Sequence, residues 1–265
     1  MKKHNKYIVI SVPIIIIVLL IGVIFGEGIV NRTIGKKVPV LMYHCITEDE
    51  DLANSNSLYV TKKKFEEDLK YLRDNGYTAI FAKDMDKPLP KKPVVITFDD
   101  GYKDNYIYGY PLLKEYDMKA TIFILAYTFD EEMSHKLSWE EAGALARSGF
   151  MDIQSHTYDL HYETDDGLFA MEPFPNESDE EYRERLYKDI DIMNERFDKY
   201  IGYRPTVFAY PYGKYTKITE EVLKEADYKA TFTTEKRIGN SRQGLYLYPR
   251  MAVYQKSGLD TILKK

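Results

Sequence analysis

Two kinds of hydrophobic spacing alternate along most of the chain. Short runs that are apolar at every position or at every second one read as strands: Val38–Tyr43, Thr78–Phe81, Pro93–Phe98, Ala120–Leu125, Met151–Gln154, Thr206–Tyr210 and Lys229–Thr233. Between them, Thr61–Asn75, Asp104–Tyr116, Ser138–Ser148, Ser178–Tyr200 and Tyr215–Ala226 read as helices. Phe65, Leu69 and Leu72 share one helical face, and the pairs Ser138/Glu141 and Ser178/Glu181 have the spacing of reciprocal N-terminal caps. A last strand is expected near Tyr246. Strands that alternate with helices predict a parallel sheet or barrel. Val94–Ile96 and Ile122–Leu125 are apolar on both faces, which suits a sheet covered by helices outside and filled inside. The acidic segment Glu163–Asp179 lacks periodicity, contains Pro173, Pro175 and Asn176, and reads as a long loop.

A different pattern opens the chain. Lys2, Lys3 and Lys6 precede an uncharged, mostly apolar run of 19 residues, Tyr7 to Phe25, which as a helix would nearly cross a ~30 Å hydrocarbon layer. Val23, Ile24 and Phe25 supply no small-residue cleavage pattern, so an uncleaved anchor is expected rather than a signal peptide. The lysines place the tail in the cytoplasm. The expected organisation is a cytoplasmic tail at 1–6, a transmembrane anchor at 7–26, a linker at 27–37 and one outer domain at 38–265, on the surface of a bacterial cell.

Composition narrows the chemistry. One cysteine in 265 residues excludes an intrachain disulfide and a multi-thiolate zinc site, so a metal would sit on His, Asp or Glu. The net charge is −5, and without residues 1–26 it becomes −8, with 34 basic against 42 acidic residues. No nucleic-acid partner is expected of such a surface; neutral or cationic substrates suit it better than anionic ones.

Three segments gather reactive side chains at strand ends. Val94–Phe98 runs into Asp99, Asp100 and Gly101, and carboxylates at the C-terminal rim of a parallel strand are where α/β barrels keep their active sites. Taken alone, the segment also suits a turn merely capped by Asp100 and Gly101. Ser155–His161 follows a strand and holds His156 and His161, a spacing suited to a loop around an ion; two histidines and an aspartate make an open divalent site. His44 ends the first strand. Phe208–Gly213 closes another strand in a Pro/Gly turn, which can wall a groove or remain an ordinary turn.

Together, Thr97-Phe98-Asp99-Asp100-Gly101, the Ser155–His161 motif and Tyr210-Pro211-Tyr212-Gly213 resemble the polysaccharide deacetylase family, carbohydrate esterase family four with its NodB-type domain. The resemblance spans Val38 to about Val253. It implies a distorted (β/α)7 barrel, with Asp99 as general base and Asp100, His156 and His161 as ligands of a divalent metal. Zinc is the first candidate, with cobalt, nickel and iron behind it. It also implies that the Tyr212 backbone N–H helps hold the oxyanion. Two departures stand out. Many members carry an arginine where Ala209 stands, and Arg250 is the candidate replacement; many take a general-acid histidine from a C-terminal motif, whereas here no histidine follows His161, which leaves His44. Both departures are similar to the exopolysaccharide poly-N-acetylglucosamine deacetylases. The expected activity is therefore metal-dependent N-deacetylation of an extracellular N-acetylglucosamine-containing polysaccharide, in a biofilm or cell wall. A xylan-type O-acetyl esterase and an inactive anchored glycan-binding module are the alternatives.

Overall fold

Eight parallel strands form one curled sheet among residues 35–264, the part of the chain that the computed structural model describes. They are β1 Val40–Tyr43, β2 Thr78–Ile80, β3 Pro93–Asp99, β4 Ala120–Ile124, β5 Met151–Ser155, β6 Val207–Ala209, β7 Ala230–Phe232 and β8 Met251–Ala252. Their order is β7-β6-β5-β4-β3-β1-β8, and β2 pairs with the first residues of β3. The apolar run Tyr7–Phe25 lies outside the described residues; within them, no helix is long and apolar enough to cross a membrane.

The sheet curls because its ends approach each other. Phe232 at the end of β7 bridges to Tyr248, just ahead of β8, and Thr233 N–H donates to the Tyr248 carbonyl at 2.9 Å. This is the parallel, barrel-like architecture the alternating pattern predicts. β5 and β6 meet at only one register pair, Ser155 with Phe208. Gln154 bridges the gap there, its Oε1 accepting from the N–H groups of Thr206 and Val207 at 2.9 Å each.

Period-2 alternation sorts side chains between two layers. Leu41, Tyr43, Val94, Ile96, Phe98, Ile122 and Ile124 face the outer helices, whereas Val40, Val95, Phe123, Ala209 and Phe232 fill the interior. The helix Lys62–Asp74 packs Phe65, Leu69 and Leu72 into the outer layer, each fully buried and contributing about 1.5–3 kcal/mol. The expected caps form at Trp139–Arg147 and Asp179–Tyr200, where Ser138 with Glu141 and Ser178 with Glu181 close reciprocal boxes.

Two elements differ from the pattern-based expectation. No strand forms at Tyr246: Leu247 takes a positive φ of 54° and Pro249 lacks an N–H, so pairing shifts to Tyr248 and to β8. The segment expected as one helix over Asp104–Tyr116 opens with a wide turn, Asn105–Gly109, and becomes α-helical only at Tyr110–Glu115. Pro111 has no N–H for a bond back to Ile107, so the regular helix starts afresh around it.

Candidate active site

The inner face of β3 presents Val95, Thr97 and Asp99 in succession, so the alternation that buries Val95 also points Asp99 into the interior. Arg250, fully buried, meets it there. Its Nη1 and Nη2 donate to Asp99 Oδ1 and Oδ2 at 2.7 and 2.8 Å, and Nε donates to the Thr233 carbonyl at 3.1 Å. This two-toothed geometry fixes the plane of the carboxylate. Burial pushes the Asp99 carboxyl up, but Arg250, then His156 and His44, outweigh it and hold the group well below the usual carboxylate range. His44 stands on the neighbouring strand end, one residue past the Tyr43–Phe98 register pair.

The chain then bends sharply. Asp100 and Gly101 both take positive φ, 71° and 67°. Only glycine fits at 101, because a Cβ would lie 2.8 Å from the Phe129 ring. The bend turns the Asp100 carboxylate toward the histidine loop, and Oδ1 lies 3.6 Å from both His156 Nε2 and His161 Nε2. These three donors come within 4.8 Å of one another. Asp100 Oδ1 is buried and has no hydrogen-bond partner among the described residues. His156 Nδ1 lies 2.6 Å from the Ala209 carbonyl, which can only accept, so the proton sits on Nδ1 and the Nε2 lone pair faces Asp100. Burial, with neighbouring His161 adding to it, pushes the His156 pKa down to about 4 and keeps the ring neutral. An orphaned buried carboxylate oxygen beside two imidazoles fits a divalent cation, with one imidazole oriented by a backbone carbonyl as metal-bound histidines usually are.

Tyr212 lies on the same rim, across from Asp99, in the turn Pro211–Gly213, with φ of 56°. Gly213 beside it leaves no room for a side chain, since a Cβ would fall 2.2 Å from Thr234 Oγ1. The Tyr212 ring is 4.4 Å from that of His161 and 5.0 Å from Phe169, and it is 47% exposed, so an aromatic wall stands beside the donors. The acidic loop supplies part of that wall: Glu163 bridges Phe169 in a short hairpin, and Arg185 anchors the rest through Glu177 and the carbonyls of Ala170 and Glu172. All the residues singled out from sequence, His44, Asp99, Asp100, His156, His161, Tyr212 and Arg250, thus converge on one rim of the sheet.

Two supporting residues escaped sequence reading. Asp189, buried in the helix Asp179–Tyr200, accepts from Thr157 Oγ1 at 2.7 Å and from the N–H groups of Tyr158 and Asp159 at 2.9 and 2.8 Å. It thereby holds the loop between the two histidines, including Thr157 at φ 108°, which a β-branched residue rarely adopts. The available signal was an aspartate within the buried stripe Leu186, Asp189, Ile190, Met193. Lys136, also buried, donates to the Asp100 carbonyl at 3.1 Å and lies over the Tyr102 ring. No pattern marked it.

The sequence profile of the polysaccharide deacetylase family matches residues 86–231, more than half of the chain and most of this site. The chain belongs to the polysaccharide deacetylase family. It is a hydrolase family, and the N-deacetylases among its relatives are similar to this chain. YxkH of Bacillus subtilis, provisionally named a polysaccharide deacetylase, is 36% identical over 82% of this chain and 71% of its own length. Poly-beta-1,6-N-acetyl-D-glucosamine N-deacetylase of Staphylococcus aureus is 25% identical over 95% of this chain and 93% of its own. The Escherichia coli enzyme of the same name is 27% identical over 80% of this chain, which spans only 36% of that longer protein. Among solved structures, the Streptococcus pyogenes deacetylase PplD, in complex with acetate, superposes with a TM-score of 0.71 at 25% identity, covering 87% of this chain and 98% of that one. The de-N-acetylase of Aggregatibacter actinomycetemcomitans shares the fold, with a TM-score of 0.77 at 23% identity over 86% of this chain and 99% of its own.

Proposed function

We propose that this polysaccharide deacetylase is a metal-dependent N-deacetylase that removes acetyl groups from a polymer of N-acetylglucosamine outside the cell. The observation that carries the reading is the adjacency of two different sites on one rim. A carboxylate clamped by Arg250 stands beside an orphaned carboxylate facing two imidazoles.

Asp100, His156 and His161 would hold the cation, zinc being the ion that two imidazoles and a carboxylate suit best. Such an ion polarises an acyl oxygen and acidifies water. Asp99, kept ionised by Arg250, accepts the proton of the attacking water as its oxygen bonds to the acetyl carbon. The Tyr212 N–H donates to the oxyanion that develops. His44, protonated, passes a proton to the nitrogen as the C–N bond breaks, and acetate and a free amine result. Arg250 orients the base throughout. The exposed Tyr212 ring offers a face on which a sugar can stack.

The polymer assignment draws on the relatives named for poly-beta-1,6-N-acetyl-D-glucosamine, one of which matches nearly end to end. The single outer domain from residue 38, its tethering by the apolar run at 7–26 and the surface location belong to the same reading. Acetate release from N-acetylglucosamine oligomers, with and without a chelator, tests it. His156→Ala should lose both bound metal and turnover, and full metal occupancy in that variant would remove the ligand assignment.

A further inference from the structure

His44 sits at a seam between two sheets. β1 ends at Tyr43, while Cys45–Thr47 already belongs to a separate two-stranded ladder with Tyr59–Thr61. A residue at such a seam is held by neither ladder, yet its backbone decides where the imidazole stands. Every buried carbonyl needs a partner, and that of His44 finds one outside both sheets. The Asn105 amide donates to it at 2.8 Å and to Asp104 Oδ1 at 2.8 Å. The Asp104 carboxylate in turn accepts from the Ile46 N–H, and Cys45 N–H donates to the Leu58 carbonyl at 2.9 Å. The backbone just past the His44 Cα, at its own carbonyl and at Ile46, is therefore fastened to one turn, the wide turn that opens at Asn105 only four residues after Gly101. Asn105 itself is completely buried and so cannot exchange this bond for one to bulk water.

The geometry points to Asn105 as a positioning residue that fixes His44 relative to Asp99, by tying the strand end that carries the acid to the turn that follows the base. The inference rests on the reading of His44 as the general acid. It gives the wide turn a function: the five-residue opening at Asn105–Gly109 brings the Asn105 side chain to the seam instead of continuing a regular helix. A misplaced acid should slow the cleavage that needs a proton on the leaving group and spare the cleavage that does not.

The test compares two substrates on the metal-loaded full chain: an N-acetylglucosamine oligosaccharide, whose amine must be protonated to leave, and an aryl acetate, whose phenolate leaves unaided. Asn105→Ala should lower kcat on the oligosaccharide about 10- to 100-fold with KM within about 3-fold, and leave aryl acetate turnover within about 3-fold. Adding Asn105→Ala to His44→Ala should cost less than about 3-fold more, because the acid to be positioned is already gone. Asn105→Asp preserves the volume but not the donor; it serves as the second variant should Asn105→Ala not fold, and the same separation is expected of it. Equal losses on both substrates, or a loss fully additive with His44→Ala, would show a merely structural role and overturn the inference. Failure of His44→Ala itself to separate the substrates would instead remove the acid assignment, a result distinct from Asn105 variants that match wild type while His44→Ala separates them.

Discussion

A guanidinium with no exposure, sharing two hydrogen bonds with one carboxylate, cannot be removed without leaving that carboxylate buried and alone. Arg250→Met should accordingly lower the unfolding free energy by about 3–5 kcal/mol and abolish acetate release, because Asp99 would then hold its proton. Denaturant titration beside an activity assay checks both, and a variant as stable and active as wild type would contradict the pairing. Arg250 was legible only through the family pattern, as a replacement for an arginine missing at Ala209; nothing in its own neighbourhood, Tyr248–Val253, marks a buried cation. Asp104 offers a test of opposite sign. Burial raises its pKa to about 7, opposed by the Ile46 N–H and Lys136. The folded chain therefore binds a proton there that the unfolded chain releases near pH 4, so this group's contribution to stability is present below about 4 and is lost as pH climbs to about 7. Asp104→Asn should remove that slope, so its Tm relative to wild type should rise between pH 4 and 7. A Tm difference independent of pH would show that Asp104 is not raised.

At the scale of elements, the helices and strands were legible because their periodicities are long and their caps carry specific side chains, as at Ser138 and Ser178. The two misreadings have local causes, Pro111 and the Leu247–Pro249 pair, whose consequences depend on which neighbour takes up the displaced hydrogen bond. The loop from His156 to His161 was legible as a candidate ligand loop, but its support was not, because Asp189 is 28 residues beyond His161 and reaches the loop only through packing of the long helix. Asp189→Ala should leave the ligands in place but loosen the loop, lowering metal affinity about 10- to 100-fold. Competition of the stripped protein against a fluorescent chelator measures this, and unchanged affinity would mean that the loop holds its shape without the aspartate.

For the whole molecule, alternation of strand and helix was enough to foresee a curled parallel sheet, and strand ends were enough to foresee one rim, since parallel strands deliver their C-terminal residues to the same side. How the sheet ends meet, through Phe232 and Tyr248, depends on a two-residue contact that no periodicity reports. The proposed tether at residues 7–26 predicts full-length mass in the membrane fraction of the native cell, with the outer domain digested by protease on intact cells; a released form starting near Glu27 would make the run a signal peptide. The bond that is cleaved distinguishes the central reading from the esterase alternative. Acetate release from matched N-acetylated and O-acetylated oligosaccharides decides it most directly: the account predicts cleavage of the N-acetylglucosamine amide, diminished far more in His44→Ala than any ester cleavage, whereas robust ester cleavage with no amide cleavage on any glucosamine polymer would contradict it.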